Sequence, residues 1–193
     1  MPKSLKITKE KILEEAFNIT KTEGIKSLSN RRLAKKLNSS IRPIYYQFKN
    51  AEELNGNLYT KIEKYFYQFL IDNIENNMPP YKSIGINYIR FAKKEPNLFK
   101  VLFMDDNTLI PKKFINKDID DYKKLAKIIK VSTNLEEDKI DTFHTKMWIF
   151  THGLATLVVN DAIKLNLEQI KQLLTQEFQA LMLLEQNKGD GKL

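Results

Sequence analysis

The stretch that decides the fold is LAKKLNSSIRPIYYQFKNAEEL, Leu33–Leu54. It contains two short apolar patterns separated by a polar break, and its second half is rich in aromatic side chains. Lysine and arginine are spread along it, whereas its only acids are two glutamates close to its end. Such a stretch forms either an ordinary solvated surface or a binding surface. The sequence around it helps to decide between these two interpretations.

Length and composition describe a folded protein with one or two small domains. The chain has 193 residues, of which 42% are hydrophobic and 10% aromatic, a composition that excludes a disordered chain. No apolar run approaches the ~20 residues that span a membrane, and no signal peptide follows the N-terminal lysines. Because there is no cysteine, disulfides and thiolate chemistry are excluded, and we expect a cytoplasmic protein without a membrane partner.

The positive charge is concentrated at the N-terminus. Residues 1–50 contain 12 Lys and Arg against 4 Asp and Glu, so they account for the whole net charge of +8. The remaining residues contain 20 of each sign. Between Glu23 and Glu52 there are seven basic residues and no acid. A charged run is most often a solvated face, but segregation on this scale favours binding to nucleic acid.

Capping residues and apolar spacing predict three helices in this basic region. Thr8 is a good N-cap for the first helix, and Gly24 is suited to end it. The second helix is predicted to begin at Ser29 and to end before Asn38, a residue that tolerates positive φ. Ser40 is predicted to cap the third helix.

The segment 29–48 therefore contains two helices and a tight turn, which is the spacing of a helix-turn-helix. An ordinary helical hairpin has the same spacing, but it does not explain an exposed basic face without acids. Binding to DNA explains such a face, because each phosphate that a basic residue neutralises releases counterions. Nearby aromatic and amide groups can also reach phosphates or base edges. The basic residues are Arg31, Arg32, Lys35, Lys36, Arg42 and Lys49, accompanied by Tyr45, Tyr46 and Gln47, while Ile44 and Phe48 are predicted to be buried.

The same segment resembles the DNA-binding signature of TetR-like transcriptional regulators. The resemblance is carried by Leu33-Ala34, Ser40, Ile44-Tyr45, Phe48 and Lys49–Leu54, without gaps from about Ile7. It implies that residues 40–47 form the recognition helix and that Tyr45 contacts phosphate. The predicted DNA-binding set is Ser29, Arg31, Arg32, Lys35, Ser40, Ile41, Arg42, Pro43, Tyr45, Tyr46, Gln47 and Lys49.

Two positions depart from the family pattern. Asn38 stands where glycine is usual, which asparagine tolerates at modest cost. Ala51 stands where a phosphate-contacting lysine is usual, so Lys49 or the N–H groups that open the fourth helix are expected to replace that contact. Asn50 is predicted to cap this fourth helix, with Glu53 completing a capping box.

The rest of the chain also follows helical periodicity, so we predict an all-α fold with about nine helices. The fourth helix is expected to reach about Asn76. Further helices are expected over Tyr81–Lys94, a short segment opened by Glu95-Pro96, Asp118–Val131, Glu136–Ile163 and Leu167–Gln186, with a loop at Asp105–Pro111. We assign residues 1–50 to a DNA-binding domain and residues 51–193 to a helical effector-binding and dimerisation domain.

Aromatic residues are unusually frequent between residues 60 and 125. At helical spacing they are more often plain core, but short, Pro-interrupted helices and the family resemblance favour a small-molecule cavity among them. Trp148, His152 and Gly153 form a W-x-x-x-H-G pattern that resembles one in the C-terminal domains of some TetR-like regulators. The candidate pocket residues are Phe66, Tyr88, Arg90, Phe91, Phe103, Trp148 and His152, with Arg90 as the anchor if the effector is an anion.

The sequence carries no pattern for catalysis or for a metal. It has no Gly-rich phosphate loop, cysteine nucleophile or serine elbow, so we expect neither an enzyme nor a cofactor. His144 and His152 are over two helical turns apart, ~12 Å along the axis, which is too far to share one ion without other ligands. We therefore predict no metal site.

Together these features predict a ligand-responsive repressor that binds a palindromic operator in double-stranded DNA as a homodimer. The two C-terminal helices carry wide apolar stripes, which favour dimerisation through a four-helix bundle. The stripes consist of Met147, Ile149, Phe150, Leu154, Leu157 and Val158 in the first helix and Ile170, Leu173, Leu174, Phe178, Leu181 and Met182 in the second. The alternatives are a constitutive nucleic-acid-binding protein without an effector and a helical interaction protein with an incidental basic face.

Overall fold

The structure, a computed structural model, describes residues 7–104 and 120–189. These residues form nine α-helices and one short 3-10 helix, Ile25–Ser27, and no β-strand, so the predicted all-α class is confirmed. The predicted loop at Asp105–Pro111 lies outside the described residues. The helices are α1 (Lys9–Glu23), α2 (Asn30–Lys36), α3 (Arg42–Gln47), α4 (Ala51–Asp72), α5 (Pro80–Lys94), α6 (Pro96–Phe103), α7 (Asp120–Thr133), α8 (Glu137–Val159) and α9 (Leu167–Gly189).

The first two helices begin and end where their capping residues stand. Thr8 Oγ1 accepts a hydrogen bond from a backbone N–H in the first turn of α1 at 3.3 Å, and Ser29 Oγ accepts one from the first turn of α2 at 3.2 Å. Gly24 ends α1 with a φ of 82°, and Asn38 follows α2 with a φ of 48°. Both residues tolerate the left-handed region, as the sequence predicted.

The third helix is shorter than predicted, and Ser40 does not cap it. α3 begins at Arg42, and its N-cap residue is Ile41, with no described side chain capping the helix. A helix capped by Ser40 would place Pro43 at the third position, and proline there offers no N–H to the capping side chain. The first turn closes instead through a hydrogen bond from Ile44 N to Ile41 O, 3.0 Å long.

The fourth helix begins as predicted and ends early. Asn50 Oδ1 accepts a hydrogen bond from Glu53 N at 2.8 Å, and the Glu53 carboxylate in turn accepts one from the backbone N–H just before the cap, also at 2.8 Å. α4 ends at Asp72 rather than near Asn76. Beyond it, the N–H of Glu75 donates to a serine hydroxyl of α5 at 2.9 Å, which holds the chain away from the helical path.

The described chain divides into two compact units. The first contains residues 7–66 and 95–104, and the second contains residues 67–94 and 120–189. Residues 7–50, the described part of the predicted DNA-binding domain, lie wholly in the first unit. None of the described helices is long and apolar enough to cross a membrane.

Each unit has its own apolar core. In the first unit α1 packs against α2, α3 and α6, and in the second α5 packs against α7, α8 and α9. Apolar residues at helical spacing supply both cores, as expected for amphipathic helices. Fully buried members are Ile12, Ala16, Leu33, Ile44 and Phe48 in the first unit and Ile89, Phe91, Ile129, Phe143 and Ala155 in the second.

Candidate nucleic-acid interface and internal cavity

The third helix buries one side and exposes two tyrosines on the other. Ile44 and Phe48 are each 2% exposed, whereas Tyr45 and Tyr46 are 63% and 85% exposed. Arg42 is exposed at the start of the same helix. Tyrosine combines an apolar ring with a polar tip, so two neighbouring exposed tyrosines beside an arginine form a surface suited to contact with a partner.

The C-terminal end of α3 is held by contacts with α1 and α4. Lys9 Nζ lies 2.8 Å from Glu53 Oε1 and 4.8 Å from the centre of the Phe48 ring. The bond from Lys9, followed by the one from the Lys49 N–H, lowers the pKa of Glu53. These contacts tie the residues that follow α3 to the helices on either side of it. These contacts therefore hold α3, with its exposed residues, in a fixed position.

Most of the predicted basic residues are exposed, but Arg32 is already paired. Its Nη2 atom donates to both carboxylate oxygens of Glu23, at 2.7 and 2.9 Å. This hydrogen bonding lowers the pKa of Glu23 and raises that of Arg32. Arg32 thus joins α2 to the end of α1, and its charge is partly neutralised. The exposed basic residues are Arg31, Lys35, Lys36, Arg42 and Lys49.

The other predicted DNA-binding residues fall into two groups. Ser29 and Ser40 are exposed, whereas Ile41 and Pro43 are half-buried. Gln47 is also half-buried, and its Nε2 atom donates to the backbone oxygen of the residue at position 7, 3.3 Å away. Gln47 therefore supports the packing of α3 against the start of α1.

The sequence did not predict a partly buried polar cluster in the first unit. Lys21 Nζ lies 2.8 Å from Glu95 Oε1, and Tyr65 Oη donates to the same oxygen at 3.1 Å. Lys21 Nζ also donates to Tyr65 Oη at 3.2 Å. Glu95 is only 5% exposed, and its hydrogen bond is the main reason that the pKa of Lys21 is raised. Nothing in the sequence pairs these three residues, since each lies on a different helix or helix boundary.

The second unit encloses a cavity of about 290 Å³. This volume is near the lower end of the ~300–1,000 Å³ that small-molecule sites occupy. The wall is mostly aliphatic and aromatic, and its residues come chiefly from α5, α8 and α9. The lining residues are Leu70, Pro79, Tyr81, Lys82, Ile84, Gly85, Tyr88, Leu125, Ser132, His144, Met147, Trp148, Thr151, Leu174, Thr175, Phe178 and Gln179.

Two tyrosine–histidine pairs join α5 to α8 at this cavity. Tyr81 Oη and His144 Nδ1 share a hydrogen bond of 3.0 Å, and Tyr88 Oη and His152 Nδ1 share one of 2.9 Å. The ring of Trp148 stacks on that of His152, with centroids 5.2 Å apart. Burial lowers the pKa of His144 to about 4 and also lowers that of His152. Both imidazoles are therefore neutral at pH 7.

The structure brings together only some of the candidate pocket residues. Tyr88 and Trp148 line the cavity, and His152 contacts both of them. Arg90, in contrast, pairs with Glu75 at 2.7 Å and is not among the lining residues.

The three phenylalanines of the candidate set are not among the lining residues either. Phe91 is fully buried and packs against Phe69, with ring centroids 5.3 Å apart. Phe66 and Phe103 belong to the first unit, where their ring centroids are 5.5 Å apart. Phe66 and Phe91 are therefore core residues of the first and the second unit, and Phe103 is half-buried.

His144 and His152 form hydrogen bonds with different tyrosines, each through its Nδ1 atom. Among residues 7–104 and 120–189 there is no group of three or more His, Asp or Glu residues that could hold a metal ion.

Comparisons with known proteins agree with this architecture. A TetR-family protein from Vibrio parahaemolyticus has a similar structure, with a TM-score of 0.61 and 16% sequence identity over 89% of this chain and 96% of that one. A TetR-family transcriptional regulator from Haemophilus influenzae gives a TM-score of 0.58 and 21% identity over 89% and 94% of the two chains. No family model and no curated protein matches the sequence. At these identities the likeness shows the fold, and the predicted resemblance is confirmed at that level.

Proposed function

We propose that this chain, which has the fold of TetR-family regulators, is a DNA-binding transcriptional repressor that acts as a homodimer and responds to a small molecule. The observation that carries the proposal is the exposure of Arg42, Tyr45 and Tyr46 on a helix whose other side is core. These residues stand in a stretch of chain with seven basic residues and no acid.

Recognition of DNA starts from α3, whose exposed face enters the major groove. Arg42 is placed to donate to a guanine edge or a phosphate, since its guanidinium offers donors in a fixed fork. Tyr45 and Tyr46 contact phosphate or sugar, and Lys49 supplies a further phosphate contact just before α4. Arg32 contributes less, because it pairs with Glu23 in the free protein.

Dimerisation is supported by apolar residues left exposed on the last two helices. Ile149 and Leu157 are 59% and 43% exposed on α8, and Gly153, midway between them, is exposed as well. A spacing of four residues puts all three on one face of the helix. On α9, Leu183 and Leu184 are 59% and 41% exposed. Exposed apolar faces of this kind mark interaction sites.

Other residues of the two predicted stripes belong to the core of a single chain and are not needed for the interface. Several are already buried within one chain, so a partner helix is needed only for the exposed members. The buried ones are Met147, Leu154, Val158, Ile170, Leu174 and Leu181. An isologous contact through α8 and α9 would form a four-helix bundle and give the dimer two-fold symmetry. Such a dimer reads a palindromic site whose half-sites lie ~34–36 Å apart.

The cavity favours a ligand-responsive regulator over a constitutive DNA-binding protein. A solid core would need no space of about 290 Å³, and native interiors are close-packed. A molecule that binds this cavity shifts the protein between states only by its difference in affinity for them. We propose that the bound state has the weaker affinity for the operator.

The test is selection of binding sites from random DNA, followed by gel-shift titration on the selected site. We expect a palindromic sequence whose affinity falls steeply with salt, because phosphate contacts release counterions. Arg42→Ala should weaken binding by ~1–3 kcal/mol. Lys64→Ala is the matched control, since it removes one exposed positive charge from α4 outside the proposed surface. Equal losses for the two variants, or no selected sequence at all, would contradict the proposal.

A further inference from the structure

We propose that the cavity of the second unit binds an amphipathic monoanion, with an apolar body and one carboxylate group. The inference rests on the proposed function, because it names the chemical class of the small molecule to which the regulator responds. It replaces Arg90, the anchor predicted from the sequence, with Lys82.

The charge on the cavity wall indicates whether the ligand is an anion or a cation. Of the described residues that line the cavity, Lys82 alone carries a charge at neutral pH. His144 is neutral there, because burial lowers its pKa to about 4. No aspartate or glutamate belongs to the lining. A cationic ligand would therefore meet a like charge without compensation, whereas an anion would gain a partner.

Lys82 is available for such a partner. It makes no ion pair with any residue in the described ranges 7–104 and 120–189, and it is half-buried. Arg90, eight residues further along the same helix, is occupied by Glu75 at 2.7 Å. Lysine keeps its ammonium group near water while its stem lies along apolar surface. The position therefore fits a carboxylate at the outer end of the cavity.

The lining of α5 runs from this charged end to a buried, neutral end. Lys82 stands in the first turn of the helix, and Tyr88, which is 3% exposed, stands six residues on. This separation is ~9 Å along the axis at 1.5 Å per residue. A ligand with its carboxylate at Lys82 thus reaches Tyr88 and Trp148 with its other end. That end meets ring surfaces and no charge.

The body of the ligand has to be apolar and of limited size. Apart from the residues at the two ends, the wall is mostly apolar and includes Leu70, Ile84, Leu125, Met147, Leu174 and Phe178. The volume of about 290 Å³ holds roughly ten to fifteen non-hydrogen atoms, at ~20–30 Å³ for each, given that water takes ~30 Å³ in the liquid. A medium-chain or aryl-substituted carboxylic acid fits both the volume and the charge.

The experiment compares three probes of equal chain length: decanoate, 1-decanol and decylamine. Trp148 is the only tryptophan of the chain and lines the cavity, so its fluorescence reports ligand entry. We expect decanoate to bind wild-type protein about tenfold more tightly than decanol, from one charge-assisted hydrogen bond, and decylamine to bind most weakly. In Lys82→Gln the affinity for decanoate should fall to that for decanol, while decanol binding stays unchanged.

The matched control is Lys93→Gln, which removes an exposed lysine of α5 that does not line the cavity. This variant should keep the preference for decanoate. Equal binding of the three probes to wild type, or an undiminished preference in Lys82→Gln, overturns the assignment of a carboxylate ligand. Binding of none of them, judged by fluorescence and melting temperature, overturns it as well. Operator binding through α3 is measured separately without ligand, so its failure is a distinct result.

Discussion

Tyr81 Oη lies 3.0 Å from His144 Nδ1, and this hydrogen bond joins α5 to α8 inside the second unit. Both residues are buried, at 7% and 6% exposure. Desolvation disfavours the charged imidazole and lowers the pKa of His144 to about 4, against which the nearby Asp141 carboxylate raises it only in part. The histidine in this contact between the two helices is therefore neutral at pH 7.

The first prediction is that the stability of the protein falls as the pH drops from 7 to 5. The unfolded chain protonates His144 near its ordinary pKa of 6.5, whereas the folded chain does so only near 4. Between these values the unfolded state holds more protons, so acid favours unfolding. The loss from this residue should be about 2 kcal/mol between pH 7 and pH 5.

Urea denaturation at the two pH values measures this loss. His144→Gln removes the titrating group, so its free energy of unfolding should change less with pH than that of wild type, whatever its stability at pH 7. The same pH dependence in both proteins would show that the histidine titrates normally in the folded state.

The second prediction separates the proposed DNA-binding role of α3 from its structural role. Tyr45→Phe and Tyr46→Ala alter side chains that are 63% and 85% exposed, so the melting temperature should stay close to that of wild type while operator affinity falls. Ile44→Ala alters a side chain that is 2% exposed and should cost ~2–5 kcal/mol of stability. Thermal melts and gel shifts on the same samples test both halves. Tyrosine variants that bind the operator as wild type does would place the DNA-binding surface elsewhere.

The third prediction concerns the proposed dimer. Ile149→Lys and Leu157→Lys should each shift the protein towards a monomer, because a charge buried in an interface without a partner is costly. Val131→Lys is the control, since Val131 is 84% exposed on α7 and lies outside the proposed interface. Analytical ultracentrifugation at micromolar concentration distinguishes the two masses. A wild-type protein that sediments as a monomer, or a Val131→Lys variant that dissociates equally, would argue against the α8–α9 bundle.

Local signals in the sequence predicted most of the helices closely. Thr8, Ser29 and Asn50 each cap a helix in the structure, and Gly24 ends one, because capping depends on residues within a few positions of one another. The predicted start of α3 was wrong, and the reason is equally local: Pro43 removes one of the two N–H groups to which a cap at position 40 could bond.

The sequence did not predict contacts between residues that are far apart in the chain. Tyr81 and His144 are 63 positions apart, and helical periodicity shows which face of a helix is buried but not which residue of another helix it meets. For the same reason Arg90 was predicted to anchor an anionic effector, although in the structure it forms an ion pair with Glu75. The cavity results from how α5, α8 and α9 pack together.

The last prediction compares two ion pairs of equal length in the first unit. Lys21–Glu95 and Lys61–Glu14 both measure 2.8 Å, but the Glu95 side chain is 6% exposed and the Glu14 side chain is 58% exposed. Glu95→Gln removes the counterion of Lys21 and replaces it with a buried neutral amide. The amide oxygen is also a weaker acceptor than the carboxylate for the hydrogen bond from Tyr65. Since Lys21 itself keeps contact with water, we expect a loss of about 1–2 kcal/mol. Glu14→Gln should cost less than about 0.5 kcal/mol, because water screens the pair. Urea unfolding curves with equal slopes give both values, and equal losses would mean that burial adds nothing to the Lys21–Glu95–Tyr65 cluster.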